Sequence, residues 1–293
     1  GMSSVQLIVT GKMEEKCLSV ALKRAFPHIS FPSPQYMDGF TSTDVSKMPL
    51  FKPPGPFRNI DKIAGALVAA VDPGRCGTPA DMAIAVDDLE LENLHHPHIV
   101  AEYFRQAVVE CVRRRWPSRE RQEACFQKVR ESCSFHLFVP MTEAYFFGEA
   151  DALNRAGAKR NSMVSGKDMD VEDFRVTNDW DYLNAEKDNN AEKDNFYWAV
   201  DPNKRNRHPK HYLQYLCDPE GKAKKDQRYR ETKGGVEALQ SLDWNSVLKN
   251  PQYVKFLRSL FDDISDRFGF ENPYPGECSP MSKFGSGSVL RNI

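Results

Sequence analysis

Apolar residues recur along this chain with two periods, and the switches between them outline alternating strands and helices. "SVQLIVTGKMEEKCLSVALKRAF" opens with a short β-branched apolar run and breaks at Thr10 and Gly11. It resumes with Leu18, Ala21, Leu22, Ala25 and Phe26 at helical spacing. This pattern predicts strand, turn and helix. "NIDKIAGALVAAV" predicts a second helix. After the turn "DPGRCGTP", the run "DMAIAVDD" is apolar without alternation, as in a strand covered on both faces. Phe104, Ala107, Val108, Cys111 and Val112 mark the stripe of a further helix ending near Trp116 and Pro117. "SFHLFVP" predicts another buried strand, and "MTEAYFFGEADAL" the start of another helix. The proline-rich "FPHISFPSPQYMDGF" and "FKPPGPF" predict irregular chain or one edge strand, because proline cannot donate to a central ladder.

Strands alternating with helices predict an α/β fold of Rossmann-like type, a mostly parallel sheet flanked by helices, with an α-helical C-terminal portion. From about residue 154 the chain becomes charged and amide-rich and carries the tandem repeat "NAEKDN NAEKDN", a polar duplication that reads as a surface-loop insertion. Helical texture returns in "KHYLQYLC", "GGVEALQSL" and "NPQYVKFLRSLFDDISDRF", where Val254, Leu257, Phe261 and Ile264 share a face. The division expected is an α/β domain over 2–153, a charged insertion with helices packed on it over 154–268, and a Gly-, Pro- and Ser-rich tail over 269–293.

Composition narrows the function little. The 293 residues, 40 % of them hydrophobic, can bury a substantial core, and 40 basic residues nearly cancel 41 acidic ones, so no global field draws the chain to nucleic acid or membrane. No apolar stretch approaches the roughly 20 residues of a membrane helix. A cytoplasmic protein without membrane association is expected. Seven cysteines form no C-x-x-C pair, which argues against a zinc ribbon or a disulfide framework.

The chemistry concentrates in "IAVDDLELENL", where an apolar run ends in Asp87 and Asp88, followed by Glu90 and Glu92. In open parallel sheets ligands bind beyond the carboxyl ends of the strands, which is where this strand stops. Glu14 lies on the apolar stripe of the first helix, and Glu143 shares a face with Phe147 and Ala150. Each alone reads more readily as a first-turn charge suited to the helix dipole. Together, three strand-to-helix junctions deliver carboxylates to one rim, which suits Mg²⁺ or Mn²⁺, although a solvated acidic rim matches the composition as well. His95, His96 and His98 in "HHPH" read as helix-entry residues around Pro97, and the basic runs "CVRRRWPSRER" and "KRNRHPK" as solvated helix ends or loops.

The order of these features, with "FVPMTEAYFFGEAD" and "YRETKGGVEALQSLDWNSVLKNP" following, resembles the Toprim-like proteins of unknown function related to OLD-type nucleases. Gly11 and Glu14 match that family's glycine and second glutamate, Asp87 its strand-ending aspartate, and Glu143 the glutamate of the later motif. Thr10 stands where the family carries its first glutamate, and Leu89 where a second aspartate is expected. The resemblance implies a Mg²⁺- or Mn²⁺-dependent nuclease or phosphoryl-transfer protein. Glu14, Asp87, Asp88, Glu90 and Glu143 would hold the metal, Glu14 and Asp87 would act in catalysis, and Lys233 would neutralise a phosphate. It also implies nucleic acid and an ATPase as partners. Because threonine supplies neither negative charge nor a strong base, the rival expectation is a degenerate scaffold that binds an ATPase or nucleic acid without cleavage. A third is phosphatase or nucleotide-hydrolase chemistry on small molecules; the absence of G-x-x-x-x-G-K-[ST] removes its P-loop form.

Overall fold

The structure, a computed structural model, describes residues 1–37, 58–186, 196–279 and 288–293. Strand β1 (Val5–Val9) leads through Thr10 and Gly11 into helix α1 (Lys12–Ala25). Helix α1 buries Met13, Cys17, Leu18, Ala21 and Leu22 at the spacing of one helical face, with acidic residues in its first turn and basic residues in its last. Within the proline-rich passage the short strand β2 (Gln35–Tyr36) forms, while "FKPPGPF" lies outside the described residues. Helix α2 (Arg58–Val71) and strand β3 (Met82–Asp88) follow. Helix α3 (Pro97–Arg115) begins on Pro97, whose fixed φ and missing N–H suit a first helical position.

The "CVRRRWPSRER" run departs from its expected solvated role. Trp116 and Pro117 end α3, the Ser118 hydroxyl accepts from the Arg121 backbone, and a further helix, α4 (Arg119–Ser132), begins. Arg121 reaches Asp72 at 2.7 Å and lies over the Trp116 ring at 3.7 Å, so part of the run is tied inward. After strand β4 (Cys133–Phe138), the expected single helix is two short ones, α5 (Glu143–Phe146) and α6 (Ala150–Arg155), with Gly148 between them. A side chain at Gly148 would press on the Val247 backbone at 3.1 Å, so the break is where another segment crosses. The remaining helices are α7 (Trp180–Leu183), α8 (Pro209–Cys217), α9 (Gly235–Gln240), α10 (Trp244–Val247) and α11 (Lys255–Phe268).

The sheet is wholly parallel, in the order β2-β1-β3-β4. After β1 the chain steps to one side to form β2, then to the other to form β3, so the strand order reverses between β1 and β3. In open parallel sheets that switch point is the crevice where ligands bind. Strand β3, buried except at its final Asp88, is the central strand its unbroken apolar run predicts.

Each face of the sheet has its own core. On one side α2, α3 and α4 cover Ile8, Ala83, Ala85, Phe135 and Leu137, with Phe104 stacked on Phe135 at 4.1 Å. On the other, α1 and the C-terminal helices cover Leu7, Val9, Ile84 and Val86 in a cluster that runs on through Tyr212, Leu239, Trp244 and Phe261. The residues after 153 thus share one core with β1 and α1, and Trp244 Nε1 donates to the Ala21 carbonyl at 2.8 Å. Arg205, in the "KRNRHPK" run expected to be solvated, is buried. Its guanidinium donates to the Ala185 carbonyl at 2.6 Å and the Ala199 carbonyl at 2.9 Å. It joins the two sides of the chain that flank the tandem repeat, whose residues 187–195 lie outside the described residues.

The last residues of the expected tail are also fixed. Asn292 pairs its side-chain amide with both the N–H and the carbonyl of Phe135, at 3.2 and 2.7 Å, as a neighbouring strand would. Arg291 is buried, with Nε donating to Asp263 Oδ1 at 2.8 Å, while Asp263 Oδ2 meets His136 Nε2 at 2.8 Å. The free side of β4 is thereby occupied, which removes an open edge.

Candidate functional site

The pairing register builds the site. Val9 lies beside Val86, so the next residues, Thr10 and Asp87, are neighbours at the carboxyl edge. The Thr10 hydroxyl donates to Asp87 Oδ1 at 2.6 Å. Asp87 and Asp88 pair with Leu137 and Phe138, and the ladder continues through Glu90 N–H to the Pro140 carbonyl at 2.8 Å. That bond holds Glu90 in an unusual conformation, φ 68° and ψ 159°.

Gly11 caps α1 and leaves room for Glu14. A side chain there would meet Glu14 Oε2 at 2.1 Å, so this glycine is required by close approach rather than by its ordinary extended φ. Glu14 folds back over the cap, buried, with Oε1 accepting from the Thr142 hydroxyl; Oε2 is buried and makes no hydrogen bond. Thr142 Oγ1 also lies 3.2 Å from Asp88 Oδ1, as does its backbone N–H. A hydroxyl carries one proton and can donate to only one of these carboxylates at a time, and Asp88 Oδ1 also accepts from the Thr142 N–H.

Glu143 follows immediately, buried, with Oε2 accepting from the Tyr229 hydroxyl at 3.0 Å. Tyr229 begins the "YRETKGG" loop. Its tight Arg230–Lys233 turn and close glycines press it onto α1: a side chain at Gly235 would meet Met13 Sδ at 2.7 Å. The loop thereby brings in Glu231, and one cavity of about 150 Å³ is lined by Thr10, Glu14, Asp87, Asp88, Glu90 and Glu231.

Electrostatics at this edge favour protons or cations. Burial, then the charges of Glu231 and Glu143, raise the Glu14 pKa to about 7. Glu90 rises to about 8 through burial and the charges of Asp87, Glu143 and Glu92. Asp88 lies well above the usual range for burial and for its neighbours Glu14, Glu90, Glu143 and Asp87. Burial also raises Glu143, opposed by Lys210 and the Tyr229 hydrogen bond. Lys210, half-buried in the first turn of α8, is the cation that answers them. Desolvation disfavours its charge, but Glu143, Glu231, Asp88 and Glu90 outweigh that and raise its pKa.

Of the residues expected from sequence, Glu14, Asp87, Asp88 and Glu90 line the cavity, and Glu143 lies outside its lining but acts on Glu14, Asp88 and Glu90 through its charge. Lys233 is apart, exposed, with Nζ donating to the Asp226 carbonyl at 2.6 Å. His95, His96 and His98 surround the start of α3, with His96 hydrogen-bonded to Asn93 at 2.8 Å. Thr142, Tyr229, Glu231 and Lys210 escaped the sequence reading. A Gly-Gly pair, Gly234 and Gly235, three residues beyond Glu231 is the visible sign that its loop packs closely; Lys210 sits in a basic run indistinguishable from a solvated one.

The donor set consists of hard carboxylate oxygens, with one buried oxygen lacking a partner, which suits a divalent cation in kind. Its arrangement is not that of an assembled site. Among the described residues, no group of three or more His, Cys, Asp or Glu side chains is placed to hold a metal ion. Among them, no helix is long and apolar enough to cross a membrane. Comparison with protein-family models, with curated proteins and with solved structures finds no match for this chain.

Proposed function

We propose that this protein is a divalent-cation-dependent phosphoryl-transfer protein acting on nucleic-acid phosphodiesters, with a divergent Toprim-like centre at the β1–β3 edge. The observation that carries this reading is the convergence of Glu14, Asp87, Asp88 and Glu90 on one cavity at the sheet's switch point, with Glu14 Oε2 buried there and unpartnered. Such crowding is costly unless protons or cations compensate it. Glu14, Asp87, Asp88 and Glu90, with Glu143 beside them, would hold Mg²⁺ or Mn²⁺, which supplies Lewis-acid stabilisation of a phosphoryl oxygen. Asp87 is kept oriented by Thr10, and Thr142 bridges Glu14 and Asp88 through its hydroxyl and its backbone N–H. Lys210, rather than Lys233, is positioned to offset the charge of a phosphate at this edge.

A second reading, a scaffold that binds nucleic acid or an ATPase without turnover, has specific support. Thr10 gives the edge a hydroxyl instead of a carboxylate, and three donors do not converge as the side chains now stand. Plasmid and oligonucleotide cleavage with Mn²⁺ or Mg²⁺, alongside thermal melting, separates the two. The catalytic reading expects turnover and a rise in melting temperature with Mn²⁺, both lost in Asp87→Ala. A cation-induced rise without turnover favours the scaffold, and neither effect removes the cation from the mechanism.

A further inference from the structure

Glu90 borders two cavities. The second, about 320 Å³, lies on its far side and has Glu92, Asp201, Lys204, His208 and His211 as its other polar walls. That size falls at the lower end of the roughly 300–1,000 Å³ usual for small-molecule sites. Two of the four non-glycine residues with positive φ among the described residues line it, Glu90 (φ 68°) and Asp201 (φ 46°). The Glu90 conformation is one that glycine alone adopts freely. Strain of this kind gathers where ligands are held.

The two histidines are fixed by opposite hydrogen bonds. Their rings stack at 3.7 Å. His208 Nδ1 accepts from the His211 backbone N–H at 3.2 Å, capping α8. Burial, reinforced by His211 and Lys210, pushes the His208 pKa down to about 3, so the ring is neutral. A neutral ring that accepts at Nδ1 carries its proton on Nε2 and offers a donor there. His211 pairs through Nδ1 with Gln214 Oε1 at 2.9 Å, which leaves its own Nε2 as an acceptor, and burial keeps that ring neutral too. Lys204 is occupied by its acidic neighbours, Glu92 at 3.5 Å and Asp201 at 3.8 Å. The walls therefore present several acceptors, one ring donor and an excess of negative charge. An anion is repelled, whereas a flat uncharged group bearing N–H and O–H donors together with an acceptor is matched.

We infer that this cavity is a nucleoside subsite, receiving the base and sugar adjacent to the phosphodiester handled on the other side of Glu90. The link to a phosphodiester rests on the function proposed above; the preference for an uncharged nucleoside rests on the cavity itself. The test is titration of the intact chain in EDTA with adenosine, guanosine, cytidine, uridine and free ribose, followed by calorimetry and saturation-transfer NMR. At least one nucleoside should bind and ribose should not. Affinity should fall tenfold or more in His211→Ala and in His208→Asn, where asparagine retains a capping acceptor but lacks the ring donor. Absence of nucleoside binding, binding of ribose alone, or affinity unchanged in both folded variants overturns the subsite. Nucleoside binding without nucleic-acid cleavage leaves the subsite standing and removes the catalytic reading, while cleavage without nucleoside binding does the reverse.

Discussion

The Thr10 hydroxyl donates to Asp87 Oδ1 at 2.6 Å, placing a neutral donor at an edge otherwise crowded with carboxylates. Replacing Thr10 by glutamate adds a like charge to a crowded edge. In chelator, Thr10→Glu should melt below wild type by a few degrees, corresponding to roughly 1–2 kcal/mol. If the edge is a cation site, Mn²⁺ should raise the melting temperature of Thr10→Glu by more than that of wild type. An equal or smaller rise would count against cation binding here.

Glu14 and Glu90 have pKa values raised to about 7 and about 8, and Glu172, which accepts from the Tyr145 hydroxyl, to about 7. A carboxyl raised on folding binds its proton more tightly in the native state, so its contribution is present below pH 4.5 and lost as pH rises through the folded value. Melting in EDTA should therefore fall between about pH 5 and pH 8. Glu14→Gln, which cannot ionise, should flatten that slope. Mn²⁺, binding the ionised form, should oppose it most strongly at pH 8 in wild type. A profile unchanged by the substitution would show that Glu14 does not titrate in this range.

Gly11→Ala places a methyl at 2.1 Å from Glu14 Oε2. Either the carboxylate leaves its buried position or the cap opens, so a loss of about 1–3 kcal/mol is expected from urea midpoints. Glu14→Ala should largely remove the penalty in the double variant, because the clash is with that side chain. Additive losses would place the strain elsewhere.

Much of this was legible because it depends on local pattern. Strands β1 and β3 are legible as two apolar runs ending in polar residues, whereas their register, and hence the meeting of Thr10 with Asp87, is set by how the strands pair and is not written in either run. The cation was not legible in the same way. Lys210 and Arg205 stand in one basic run, yet Arg205 is buried on four backbone carbonyls and Lys210 faces the carboxylates; which does which is decided by how α8 packs, not by spacing. The same limit applied to "CVRRRWPSRER", whose arginines meet Asp72 only because α2 ends beside them.

Arg291→Ala would leave Asp263 buried with the His136 ring still against it and would free the Glu131 carbonyl. Breaking a buried charge pair by removing one member typically costs about 3–5 kcal/mol. Lys222→Ala, which breaks an exposed pair with Glu220, should change stability by no more than about 0.5 kcal/mol. Similar urea midpoints for the two variants would show that the residues bound along β4 add nothing to its stability.

The cluster that joins Leu7 and Val86 to Tyr212, Trp244 and Phe261 divides the cover on that side of the sheet between α1 and the later helices. A chain cut after residue 153 would keep its strands, α1 and three helices on the opposite face, but would strip from α1 and the sheet the apolar surface now packed against Tyr212, Trp244 and Phe261. Such a fragment would self-associate instead of behaving as a free-standing half, so neither segment is a portable module that evolution or an experimenter could transplant alone.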